Sequence, residues 1–318
     1  MTLARNSFWP DEISGNVEAV EITFFDEATP ASTFAASDQI AFARIDSDDL
    51  AEASASHPEQ VNVVNNGTLV MLGFSHERAV VNQPEVRRAL ALSIEPQDFS
   101  SVLMPTDALF SNGITPPGIV ATPEYAGFQA NLAQALSEIE AVGYPNCANV
   151  PEVMRFLVPN DDPLWLSVGQ TLIQTWGEKF GCNPALFELS AVPRGRIIEI
   201  AHANIDQENG SRPHIWLVTW QADYPDTAAW MDDMLHCDHG YLRTGRACSA
   251  VDDLLNQAAI EPDSAARAAL YAEAETLLTG NTGEFPIVPL FFSTSGLLQK
   301  PWLTDVNLFG AARFDLWN

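Results

Sequence analysis

The sequence predicts an α/β fold, because short apolar strand patterns alternate with longer amphipathic helix patterns along most of the chain. Residues 153–158 are rich in Val, Phe and Leu and are typical of a strand. Residues 163–180 then place apolar side chains such as Leu172 and Trp176 at helical spacing. With 318 residues, 47% of them hydrophobic, the chain is long enough for one large or two medium domains with real cores.

The other elements follow from the same periodicities and from turn residues. The Asn65-Asn66-Gly67 sequence predicts a turn between two strands. Two prolines in 285–292 indicate an edge strand or a strand that crosses between lobes. The remaining predicted strands are 17–25, 61–64, 68–74, 186–189 and 214–219, with an extended stretch at 45–46. The remaining predicted helices are 31–37, 84–94, 132–142, 251–259 and 264–278.

The charge balance excludes several classes of partner. The chain has 42 acidic and 15 basic residues and a formal net charge of −27. Such a surface repels phosphate backbones, and no basic stripe is present that could release counterions from a nucleic acid. We therefore expect no nucleic-acid partner and no anionic membrane surface as partner. No window approaches the run of about 20 apolar residues that a membrane-spanning helix needs.

The first ten residues do not form a secretory signal. They lack a basic region, an apolar core and a small-residue cleavage site. Taken literally, this predicts a cytoplasmic chain. The alternative is that the sequence begins partway through a longer protein.

Four cysteines permit three disulfide pairings. The local pairing of Cys147 with Cys182 and of Cys237 with Cys248 would join one strand–helix unit and close one loop. That arrangement suits an oxidising compartment. Buried free thiols are the alternative interpretation.

Motifs of the common hydrolase and nucleotide-dependent enzymes are not found. The sequence has no Gly-x-Ser-x-Gly, no His-Glu-x-x-His and no Walker phosphate loop, so we expect no catalysis. His236, Cys237 and His239, with Cys248 beyond, could be read as zinc ligands. Adjacent His236 and Cys237 cannot easily face one ion, however, so we favour a loop disulfide and assign no metal and no cofactor.

Several segments, in order along the chain, resemble the family 5 solute-binding proteins of ABC importers, which take up oligopeptides, dipeptides or nickel. Each segment alone is weak evidence for the family, but together the segments follow the family's order over essentially the whole chain. Glu95 stands where the family usually has Asp, and Thr227 departs from the last position of the "WxADYPDP" element. The similar segments are Arg5–Trp9, Val17–Phe24, Pro84–Ile94, Leu132–Pro145, Trp220–Asp226, Val251–Leu255, Arg267–Tyr271 and Phe285–Leu290.

This resemblance implies a two-lobed periplasmic-binding-protein-like fold of type II that is truncated at its N-terminus. Residues 1–84 would be part of lobe I, residues 85–287 the C-terminal α/β lobe, and residues 288–318 a return segment to lobe I. The signal sequence, the first part of lobe I and the small second domain would be missing. The chain would then act outside the cytoplasm, in the periplasm or at the cell surface.

The same resemblance implies a function and a site. The protein would bind peptides or similar small solutes between its lobes and deliver them to ABC permease subunits in the membrane. Asp223 matches the family aspartate that holds the α-ammonium of a peptide ligand, and such a pair forms a charge-assisted hydrogen bond. Trp220 and Tyr224 could line the site as aromatic walls.

Less specific interpretations stand beside these. Asp223 lies in Asp-Tyr-Pro-Asp, which is also a good turn sequence, and Trp220 could be a core residue. As a whole, the chain could instead be a sensory or partner-binding module, or an incomplete fragment that does not transport. An exposed apolar surface where a lobe is missing would favour the fragment.

Overall fold

The computed structural model describes residues 1–8, 15–24, 37, 40–45, 47–103, 108–124, 127–203 and 212–304. The chain forms two compact units. The smaller unit contains Met1–Gly67, Pro105–Leu109 and Ser293–Asn318, and the larger contains Thr68–Met104 and Phe110–Phe292. These limits do not coincide with the predicted lobe boundaries at 84 and 288, because residues 68–74 already pair with a strand of the larger unit. The assignment of lobes stays a prediction.

The described strands and helices alternate over most of the chain, as predicted. The strands are β1 Thr2–Ala4, β2 Ala19–Glu21, β3 Phe42–Ile45, β4 Val61–Phe74, β5 Ala108–Phe110, β6 Met154–Pro159, β7 Phe187–Val192, β8 Ile215–Gln221 and β9 Ile287–Gln299. The helices are α1 Ser47–Ser56, α2 Pro84–Leu92, α3 Leu132–Ala141, α4 Pro163–Phe180, α5 Arg194–His202, α6 Ala228–Leu235, α7 Ala250–Ile260 and α8 Ser264–Thr279.

The larger unit is built on a mixed sheet in which the strands run in the order β9–β4–β8–β6–β7. Strand β4 is antiparallel to β8, with Thr68 opposite Gln221 and Phe74 opposite Ile215. Strands β8, β6 and β7 are mutually parallel. The carboxyl ends of these three strands therefore lie at one edge of the sheet, where open α/β sheets commonly bind ligands.

Helix α4 joins β6 to β7, and its limits have local causes. The Asp162 side chain accepts a hydrogen bond from the Leu164 amide at 2.8 Å, and Pro163 occupies the first turn. The helix ends at Gly181, whose φ of 71° lies in the left-handed region that favours glycine. These signals explain why the predicted range 163–180 agrees with the observed helix.

The core of the larger unit is rich in aromatic side chains. Trp176, Trp216 and Trp230 are its largest fully buried residues. Gly73 on β4 faces the Trp216 ring so closely that an added Cβ would lie 2.3 Å from a ring carbon. Glycine is therefore needed at this position to leave room for the indole.

The smaller unit contains two antiparallel strand pairs. Strand β1 pairs with β2, and β3 pairs with β9 so that Phe42 lies opposite Gln299. A small core of Ile45, Leu50, Ala53 and Leu298 packs β3, α1 and β9 together.

Some sequence predictions differ from this structure. The predicted turn at 65–67 lies inside the continuous strand β4: the Asn65 side chain accepts a hydrogen bond from the Gly67 amide, and Gly67 has φ of 79°. The turn signal thus produces a local distortion and does not reverse the chain. Strand β9 pairs with β3, β4 and β5, so the edge-strand interpretation of 285–292 is wrong. The alternative interpretation, a strand that crosses between lobes, stays a prediction. Except for Ser37, the predicted helix 31–37 falls outside the described residues.

Among the described helices, none has the length and apolar character required to span a bilayer.

A buried carboxyl group anchors the loop that follows β5. Glu275 on α8 is only 1% exposed, and its Oε1 accepts a hydrogen bond from the Ile114 amide at 2.5 Å. Burial raises the pKa of Glu275 from 4.5 to about 7, although the backbone amides of Ile114 and Thr115 act in the opposite direction.

This pKa predicts a pH dependence of stability. Because the folded state holds the Glu275 proton more tightly than the unfolded state, its contribution is fully present below about pH 4.5 and is lost as the pH rises to about 7. Glu275→Gln keeps an oxygen acceptor for Ile114 and removes this titration. Urea unfolding measures the free energy of unfolding at pH 5 and at pH 8. The decrease between these pH values should be smaller for Glu275→Gln than for wild type, by on the order of 1–3 kcal/mol. Glu273→Gln, at an exposed position of the same helix, is the control and should behave as wild type. Equal pH dependence of all three proteins would contradict the prediction.

Candidate functional site

The predicted ligand residues lie at the carboxyl end of β8, in the larger unit. Trp220 is near the end of this strand, and Asp223 and Tyr224 follow it directly. Their position is therefore at the edge of the sheet where β6, β7 and β8 end. Asp223 and Tyr224 are both exposed, and Trp220 is half-buried.

Asp223 differs from two nearby carboxylates, which are paired with arginines. Asp226 makes two hydrogen bonds of 2.7 Å with the guanidinium of Arg267. Asp161, just after β6, pairs with Arg194 at 2.5 Å. In the described part of the chain, by contrast, the Asp223 side chain makes no hydrogen bond or ion pair. Its charge is thus available at the surface of the site.

Trp220 is held in place by two contacts. Its indole nitrogen donates to the backbone oxygen of Ala229 at 2.9 Å, and its ring packs against Tyr241 with the ring centroids 5.3 Å apart. The Tyr241 ring also packs against the His202 ring, with the centroids 4.2 Å apart. Because its polar atom is already bonded, Trp220 can offer a ligand its apolar ring surface.

Tyr224 is held by an acidic partner on the next helix. Its hydroxyl donates to Oδ2 of Asp233 on α6 at 2.6 Å. Partial desolvation of the hydroxyl and then its hydrogen bond to Asp233 raise the pKa of Tyr224. The hydroxyl therefore stays protonated at physiological pH, and the ring is fixed beside Asp223.

The cysteine pairing favoured by the sequence is confirmed. Cys147 bonds to Cys182 and Cys237 bonds to Cys248, with Cα atoms 5.0 and 5.1 Å apart. The second disulfide closes the loop that carries Tyr241 to the Trp220 ring. Both thiols of the metal site considered from sequence are consumed in this bond, so neither is available as a zinc ligand.

The comparison with protein families gives a match over most of the chain. Residues 1–241 match the family model described as bacterial extracellular solute-binding proteins, family 5 Middle. The chain belongs to this family. The resemblance inferred from the sequence motifs is thereby confirmed. A sequence comparison with curated proteins gives no match.

Solved structures of solute-binding proteins share the fold. The unliganded open form of MppA, a periplasmic murein tripeptide binding protein, superimposes with a TM-score of 0.80 at 19% identity, over 99% of this chain and 60% of that one. A periplasmic oligopeptide-binding protein from Borrelia burgdorferi gives 0.66 at 16% identity, over 94% and 57%. DppA from Helicobacter pylori, in complex with the peptide STSA, gives 0.64 at 17% identity, over 99% and 59%. The chain thus spans about 60% of the length of these proteins, and the predicted α/β binding-protein fold is confirmed.

The sequence motifs predicted three residues of the candidate site but not the residues that hold them in place. Trp220, Asp223 and Tyr224 were found through the family element that contains them. Tyr241 packs against Trp220, and Asp233 accepts a hydrogen bond from Tyr224. No local sequence signal indicates either contact, because Asp233 lies on α6 and Tyr241 lies in the loop closed by the second disulfide. The assignment of a ligand to these residues stays a prediction.

Proposed function

We propose that this chain is the solute-binding component of an importer, and that it captures peptides or similar small solutes with a positively charged end. The carboxylate of Asp223, which has no partner among the described residues, carries this proposal. It stands at the carboxyl edge of the sheet beside Trp220 and Tyr224, while nearby Asp161 and Asp226 are neutralised by arginines. A carboxylate in this setting forms a short hydrogen bond with an ammonium group.

The surroundings of Asp223 fit a permissive ligand site. Trp220 and Tyr224 are oriented by hydrogen bonds to Ala229 and Asp233, so their rings need little ordering when a ligand arrives. One charged anchor fixes the end of the ligand, and apolar ring surfaces tolerate varied side chains. The net charge of −27 also attracts cationic solutes over longer distances.

The family supports the remaining parts of the proposal. We infer that the protein acts outside the cytoplasm, delivers its ligand to membrane permease subunits and catalyses no reaction. The peptide-bound relative DppA of Helicobacter pylori favours a peptide as ligand over other solutes.

The test is calorimetric titration of the protein with short peptides that have free amino termini. Asp223→Asn should lower the affinity roughly 10- to 100-fold, because a hydrogen bond to a charged group contributes about 1.5–3 kcal/mol. Asp253→Asn, at an exposed position in the first turn of α7, loses the same charge far along the chain and should bind as wild type.

N-acetylated peptides make the test specific for the ammonium group. Acetylation should weaken binding to wild type by a factor similar to that of the mutation, and should have little further effect on Asp223→Asn. Unchanged affinity of Asp223→Asn for free peptides would refute the assigned role of Asp223. A lower affinity that responds equally to acetylation in both proteins would assign the ammonium to another group.

A further inference from the structure

Three side chains near the end of α6 form a cluster that the proposed peptide site does not use. Asp232 lies on α6, His236 follows the helix end, and His239 lies in the next turn. One potential ligand atom from each of the three lies within 4.8 Å of the others. We propose that this cluster is a binding site for zinc or a chemically similar divalent transition cation.

The spacing of these residues brings them together. Asp232 and His236 stand at positions i and i+4, one helical turn apart, and His239 lies in the turn that follows the helix. Helix α6 is capped at its C-terminus by His236, whose ψ of 135° is extended and whose amide donates to the oxygen of Asp232 at 3.1 Å. A tight turn follows, in which Gly240 donates to the oxygen of His236 at 2.9 Å. A Cβ at Gly240 would lie 2.5 Å from the His236 backbone nitrogen, so only glycine allows this turn.

The buried histidine supplies the second, independent observation. His236 is 5% exposed, and within the described ranges its Nε2 has no hydrogen-bond partner. A buried polar nitrogen without a partner is costly, and coordination to a cation would satisfy it. Its Nδ1 accepts a hydrogen bond from the Asp238 amide at 3.2 Å. Coordination through Nε2 would move the ring proton to Nδ1 and give up this long contact.

Asp232 and His239 lie close together, and rotation of the His239 side chain would allow both to coordinate one ion. His239 Nε2 lies 3.1 Å from Oδ2 of Asp232, close to the separation of two ligand atoms on one zinc ion. The rings of His236 and His239 are stacked with centroids 3.8 Å apart, so their planes cannot both contain one ion without rotation. The His239 side chain is 53% exposed and has room to turn. Two imidazoles, a carboxylate and a water would complete a tetrahedral site.

This site differs from the zinc site considered from the sequence. There the candidate ligands included Cys237 and Cys248, which form a disulfide. Asp232 takes their place, because it lies one helical turn before His236. The disulfide itself constrains the turn that presents His239.

Equilibrium dialysis of the whole chain against Zn²⁺, with millimolar Mg²⁺ present, tests the proposal. Magnesium prefers oxygen ligands and suppresses weak binding to the acidic surface. We expect one Zn²⁺ per chain. The variants His239→Ala and Asp232→Asn change accessible or half-buried positions, and each should weaken Zn²⁺ binding at least about tenfold. His57→Ala removes an isolated histidine of the smaller unit and should bind as wild type.

Cobalt provides an independent readout, because Co²⁺ in a tetrahedral nitrogen and oxygen site absorbs visible light. Wild type and His57→Ala should develop this absorption, and His239→Ala should not. Absence of stoichiometric Zn²⁺ binding by wild type would overturn the proposal. Equal Zn²⁺ affinity of wild type, His239→Ala and Asp232→Asn would also overturn it.

Discussion

Replacing Trp176 by alanine is expected to lower the free energy of unfolding of the larger unit by about 3–5 kcal/mol. Trp176 on α4 is fully buried and packs between Phe156 of β6 and Phe187 of β7, with ring centroids 6.2 and 5.2 Å away. Its indole nitrogen also donates to the backbone oxygen of Leu90 on α2 at 3.2 Å. Truncation would leave a cavity where a helix meets two parallel strands, and would leave the oxygen of Leu90 without this donor.

Denaturant unfolding measures this effect, and a second tryptophan provides the matched control. Trp302 is 64% exposed, so Trp302→Ala should change stability by less than about 0.5 kcal/mol. Tryptophan fluorescence changes in both variants, and far-ultraviolet circular dichroism should therefore follow the transition. If the two variants lost similar stability, the position of Trp176 in the core would be wrong.

Removing the Cys147–Cys182 disulfide is expected to have an effect of similar size. The bond connects residues 35 apart in sequence, and closing a loop of that length restricts the unfolded chain by about 4 kcal/mol. In the folded state it joins the short helical turn after α3 to the residue after Gly181 at the end of α4. The double variant Cys147→Ser, Cys182→Ser should therefore unfold at a clearly lower denaturant concentration.

Removing the second disulfide is expected to lower the stability by a smaller amount than removing the first. Cys237 and Cys248 are 11 residues apart, so loss of their bond should cost about 3 kcal/mol, less than loss of the first. Reductant should destabilise wild type by more than either double variant, because each variant has only one bond left to lose. Wild type that unfolds identically with and without reductant would show that these cysteines are not paired in solution.

Local signals in the sequence were sufficient for the two longest described helices, α4 and α8. Helix α4 was predicted within its observed bounds, because Asp162, Pro163 and Gly181 mark its ends by side-chain and backbone chemistry that involves only near neighbours. Strand β6 and helix α8 were predicted closely for similar reasons. Helices α1, α5 and α6, of ten, nine and eight residues, were missed, because such short helices depend on the surface against which they pack.

Strand β4 shows where local reasoning failed. Asn65-Asn66-Gly67 has the composition of a turn, and the Asn65 side chain does bond to the Gly67 amide. The chain nevertheless continues extended, because residues 68–74 pair along their whole length with β8, which lies far away in sequence. Backbone hydrogen bonds between distant strands outweigh a preference spread over three residues.

For the candidate site too, the sequence indicated some features and the tertiary structure decided the others. By itself, the sequence determined the α/β class and the family, favoured the local cysteine pairing and predicted a ligand role for the aspartate at the end of β8. Each of these is expressed by neighbouring residues or by motifs in a fixed order. Only the tertiary structure decided that Arg267 pairs with Asp226 while Asp223 has no partner among the described residues. It also decided that Tyr241 packs against Trp220 and that Asp232 approaches two histidines. Those outcomes depend on how side chains from separate helices and loops share space and charge, and no short stretch of sequence contains that information.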